Sequence, residues 1–64
     1  MNSYEELANA IVLQAVKDYR LHDDLKELAR IERFFRSDWF SVLTNVDPEI
    51  LITKLRKEKV RYEY

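Results

Sequence analysis

Ser37-Asp-Trp-Phe-Ser-Val-Leu-Thr-Asn-Val-Asp-Pro-Glu49 holds the only Trp and the only Pro of a 64-residue chain, and its reading decides the fold. Ser37 can accept a hydrogen bond from the free N–H groups that open a helix, and Asp38 sets a negative charge against the positive end of that helix's dipole. Asn45-Val46-Asp47 then closes the short helix. Asp47-Pro48-Glu49 opens the next one with three signals that agree: a capping carboxylate, Pro at the first helical position, and an acid in the first turn. The segment is therefore a helix-turn-helix junction, and it is the sharpest boundary in the sequence.

Working outward, zero Gly and one Pro leave almost no residue able to take positive φ or to break a helix, so hairpins and bulges have nothing to be built from. Ser3 with Glu6 has the spacing of a capping box and starts a first helix near Tyr4. At about 100° per residue, Tyr4, Ala8, Ile11, Ala15 and Tyr19 share one line, flanked by Leu7, Val12 and Val16. That wide apolar face suits contact with two neighbours, or with a second copy of the chain. Asp24 with Glu27 repeats the capping arrangement and restarts a helix, although without Gly at the preceding terminus the first two helices could also run together as one rod. The spacing predicts an all-α fold: a small bundle of three to four helices at about 4–20, 25–36, 38–44 and 48–61, in a single helical domain over residues 1–64.

Leu25, Leu28, Ile31 and Phe35 form the expected core stripe of the second helix, and Leu51, Ile52, Leu55 and Tyr62 that of the last. Trp39, Phe40, Val42 and Leu43 are an apolar load that should be mostly buried, with an exposed Trp39 acting as an interface anchor as the alternative. A chain this short usually needs a disulfide, a metal, dense packing or a second subunit. There is no Cys and only one imidazole, His22, so disulfides and thiolate zinc sites are excluded and packing or association remains. Apolar residues at 47% and charged residues at 36% predict a soluble domain, neither disordered nor membrane-spanning. The first fifteen residues hold Glu5 and Glu6 and no cation, unlike a secretory leader, so a cytoplasmic location is expected.

Chemistry-bearing patterns are scarce. His22 reads as a turn residue, and Asp23 and Asp24 as caps without a second ligand cluster or a calcium-loop spacing. No catalytic constellation, metal site or cofactor is expected. Lys26, Arg30, Arg33 and Arg36 recur at spacings of four, three and three on the polar side of the second helix. With Trp39 they are the candidate partner-binding residues, and the excess of Arg over Lys suits planar recognition of carboxylate or phosphate. The alternative is a helix-turn-helix-like DNA-binding protein using Arg30, Arg33, Lys54, Arg56 and Lys57 on the phosphate backbone. Against it, the start of the last helix, Pro48-Glu49-Ile50-Leu51-Ile52, offers an acid and hydrocarbon where a recognition helix needs base-reading groups. The net charge of −1 also lacks the generic basic signature.

The stretches Glu6-Leu-Ala-Asn-Ala-Ile-Val-Leu-Gln-Ala-Val-Lys-Asp-Tyr-Arg20 and Ile31-Glu-Arg-Phe-Phe-Arg-Ser-Asp-Trp-Phe-Ser-Val-Leu-Thr44, continuing from Asp47 to Glu58, resemble a family of small helical proteins. Prophages and integrative elements of Gram-positive bacteria encode that family, and no established activity is attached to it. The resemblance implies a non-enzymatic protein-binding module, an adaptor, inhibitor or regulator of a host or phage protein, with homodimerisation as a further expectation.

Overall fold

In the computed structural model, which describes residues 3–61 with side chains through residue 59, the chain forms α1 (Ser3–Leu21), α2 (Leu25–Phe35), α3 (Asp38–Leu43) and α4 (Pro48–Arg61). The described residues contain no strand, and the fold is the all-α bundle that the spacing predicts. The first two helices are separate, broken at residues 22–24, and pack on each other instead of forming one rod.

Each boundary has a local cause. Asp24 Oδ1 accepts from the Lys26 N–H at 2.9 Å and starts α2, while Glu27 turns to Arg30 at 3.4 Å and does not complete a capping box. Ser37 serves two helices at once: its hydroxyl donates to the Phe34 carbonyl at 2.6 Å and accepts from the Phe40 N–H at 3.3 Å. Asp47 Oδ1 accepts from the Glu49 N–H at 2.9 Å and starts α4. The end of α1, which has no Gly to close it, is finished from outside. Lys59 of α4 donates to the carbonyls of His22 and Arg20, stands 5.6 Å from the centre of the Tyr19 ring and 3.6 Å from Asp23. A cation there offsets the negative end of a helix dipole, here that of α1 as well as α4's own.

The core is Tyr19, Leu28, Phe35, Phe40, Ile52 and Leu55, with Val12, Ala15, Val16, Ile31, Phe34 and Leu51 packed against it. Its centre is aromatic: Phe40 meets Phe35 at 5.4 Å and Phe34 at 5.8 Å between ring centres, both edge-to-face, the arrangement that ring quadrupoles favour. The Arg36 to Glu49 and Glu32 to Arg56 pairs make α2 and α4 antiparallel, since moving back along α2 moves forward along α4.

Several apolar residues lie elsewhere than predicted. Trp39 is 57% exposed and Val42 75%, while Phe40 is buried and Leu43 half-buried. A six-residue helix has one inward side; Phe40 occupies it, and Trp39 and Val42, about 60° apart, fall on the other. Leu25, at the first position of α2, lies at the rim by the turn and is 80% exposed. On α1 the predicted apolar line is buried only in its second half. No residue before Val12 joins the core cluster, and Tyr4 and Leu7 are exposed. Tyr62 lies outside the described residues.

Candidate functional site

Among the described residues, the one charged residue that the fold buries is Glu32, 8% exposed. Four residues after Leu28 and three before Phe35, it shares their face of α2. Its carboxylate collects donors from three helices. Tyr19 Oη of α1 donates to Oε2 at 2.6 Å; Arg56 of α4 donates from Nε to Oε2 at 3.0 Å and from Nη2 to Oε1; Arg36, just past α2, brings Nη1 to 3.7 Å. Arg36 is held in turn by Glu49, through Nε at 2.8 Å and Nη2 at 3.1 Å. Both arginines thus make two-pronged contacts with a carboxylate, which fix the guanidinium planes as well as the charges.

The ionisation states follow from these contacts. The Arg56 hydrogen bonds hold Glu32 below the usual carboxylate range against the opposing effect of burial, with Tyr19 helping. Burial, and then the Glu32 charge, push the Tyr19 phenol up to about 12. Glu32 raises Arg56, and the exposed Arg36–Glu49 pair shifts each partner toward its charged form. Every described buried side-chain nitrogen and oxygen has a hydrogen-bond partner. The network is a staple across α1, α2 and α4 whose buried polar atoms are all paired.

The predicted partner-binding residues divide accordingly. Lys26 and Arg33 are exposed and enter no ion pair among the described residues, and Arg30 makes only the loose exposed pair with Glu27. Arg36, expected on the open face, is turned into the α2–α4 seam. Trp39 follows it by three residues and is open to solvent. Of the alternative nucleic-acid set, Arg56 is clamped by Glu32, while Lys54 and Lys57 lie exposed on α4 and share no ion pair among the described residues. The α4 start presents Glu49 and Ile50, the latter 59% exposed. His22 sits half-buried in the α1–α2 connection with Nδ1 3.1 Å from the Asp18 carbonyl. No group of three His, Asp or Glu among the described residues could hold a metal ion.

Sequence reading gave Glu32 no place in the core stripe of α2, and so missed the staple. The available signal was its register: the positions Leu28, Glu32 and Phe35 repeat at four and three, inside the apolar stripe. None of the described helices is long and apolar enough to cross a membrane. Comparison with known proteins finds no family model, no curated protein and no solved structure that matches this chain.

Proposed function

We propose that this chain is a non-enzymatic protein-binding module that meets its partner through the cationic side of α2, chiefly Lys26, Arg30 and Arg33, and through the neighbouring Trp39 and Val42. The exposure of Trp39 carries the reading. A large ring left 57% in water, beside a 75% exposed Val42, sits poorly with a chain whose other aromatic rings near it are buried or half-buried. Trp and Arg are the side chains on which binding energy concentrates at protein interfaces. The polar staple adds to this by engaging Arg36 and Arg56, which leaves Lys26, Arg30 and Arg33 as the exposed cations of α2. Its origin in a phage or mobile element, acting as adaptor, inhibitor or regulator in a host cytoplasm, extends the same proposal and is supported by the sequence resemblance alone.

Nucleic-acid binding has less support: Arg56 is committed to Glu32, and a helix that opens on Glu49 would put an acid against phosphate or base edges. The test is capture of a partner from an extract of the source cell by the immobilised chain, compared with Trp39→Ala and Arg30→Glu/Arg33→Glu. Both variants change exposed residues and should keep the helical circular dichroism. Loss of the partner by both supports the surface named here; full retention by both would remove it. Retention of duplex DNA that weakens steeply with salt would favour the alternative.

A further inference from the structure

The outward face of α1 fits a second copy of the same helix, and we propose that the chain forms a two-fold symmetric dimer there, with two α1 helices crossing antiparallel at Ala10. Two of α1's residues on this face are large and apolar, Leu7 at 61% and Leu13 at 57% exposure, and small Ala10 lies between them. At about 100° per residue, Glu6, Leu7, Ala10, Leu13, Gln14 and Lys17 form one stripe on the side opposite Val12 and Tyr19. All six are exposed.

The stripe is self-complementary. With the axis at Ala10, Leu7 of one protomer meets the partner's Leu13, and the reverse contact follows by symmetry, as an isologous interface requires. Glu6 faces the partner's Gln14 and lies one turn from the partner's Lys17, so opposite charges meet at both ends. The Leu7, Ala10 and Leu13 centre of the stripe reads the same in both directions, which suits a second copy of the chain.

The radius of gyration, 12.3 Å, exceeds the value of about 10.7 Å for a compact chain of this length. Among the described residues no α1 residue before Val12 joins the core cluster, and a second α1 would cover Leu7 and Leu13.

The chain has no Cys, which makes the site directly testable. With helix axes about 8–10 Å apart and a Cα radius of about 2.3 Å, facing Ala10 Cα atoms stand about 3.4–5.4 Å apart, a range whose upper part meets the spacing of about 4.4–6.8 Å that a disulfide spans. Sedimentation of the full chain should show a dimer, and Leu13→Lys should be a monomer with unchanged helicity. Ala10→Cys should oxidise to a covalent dimer at least about tenfold faster than the exposed control Ala29→Cys, because association raises the local thiol concentration. Glu6→Lys and Lys17→Glu should each weaken the dimer, and the double exchange should restore it. A monomer at high concentration would overturn the proposal. So would a dimer in which the two cysteine variants oxidise at equal rates, since its contact would then lie elsewhere. Neither outcome bears on the α2 and Trp39 surface, which uses other residues.

Discussion

Replacing Glu32 by Gln keeps the shape of the staple and removes its charge. The carboxylate accepts three hydrogen bonds, one from Tyr19 and two from Arg56, with Arg36 close by. A Gln side chain retains one accepting oxygen, and because Arg56 donates to both oxygens of Glu32, the amide nitrogen would point donor against donor at the guanidinium in either orientation. One or two charge-assisted bonds are therefore lost, each worth about 1.5–3 kcal/mol net at a buried position, and partial exposure of Arg56 puts the total at about 2–4 kcal/mol. A core in a chain this short supplies about 3–5 kcal/mol of net stability, so the variant should be partly unfolded at room temperature. Urea titration at neutral pH, followed by helical circular dichroism, measures the loss. Replacing Glu32 and Arg56 together by Leu and Met should recover much of it, because two well-packed apolar chains often match a buried ion pair. A Glu32→Gln variant within about 0.5 kcal/mol of the parent would refute the idea that this network holds the three helices together.

The same staple sets a pH profile. Glu32 ionises more readily folded than unfolded, so its contribution is complete above the ordinary carboxylate value of 4.5 and fades as pH falls below it. The Tyr19 phenol is raised, so its contribution holds below its ordinary value of 10.0 and fades as pH climbs toward about 12. Melting temperature against pH should thus be flat between these limits, with a shallower acid limb in Glu32→Gln and a shallower alkaline limb in Tyr19→Phe. Lys59→Met should lower stability by about 1–2 kcal/mol through the uncapped carbonyls at the end of α1, and amide exchange at that end should rise first. Phe40→Ala should lower stability by about 3–5 kcal/mol by opening a cavity in the aromatic cluster, whereas Val42→Ala, two residues on, should stay within about 0.5 kcal/mol.

The helices were legible because their signals are local. Ser37, Asp47 and Pro48 act through atoms within three residues of themselves, and the observed caps involve those side chains. Periodicity likewise identified Leu28, Phe35, Ile52 and Leu55 as core. It failed where burial depends on what stands opposite. Leu25 and Tyr4 continue their apolar lines but lie at the outer ends of α2 and α1, each 80% exposed. Trp39 and Val42 were misplaced because a single-turn packing surface has room for Phe40 and not for them. Glu32 is the converse case: its position is apolar by register, and only Tyr19 and Arg56, 13 and 24 residues away, make a charge tolerable there. Of the candidate site, Lys26, Arg30 and Arg33 could be read from spacing, while the diversion of Arg36 and Arg56 into the interior could not.

The central claim is that the core closes on Phe34, Phe35 and Phe40 behind the Glu32 staple and leaves Trp39 outside as part of a working surface. Because Trp39 is the only indole in the chain, its fluorescence reports on this alone. Quenching of the free, folded protein by acrylamide should proceed nearly as fast as in urea, with emission at the long wavelengths of a ring in water. A blue-shifted emission that resists the quencher would place Trp39 in the core and contradict the account.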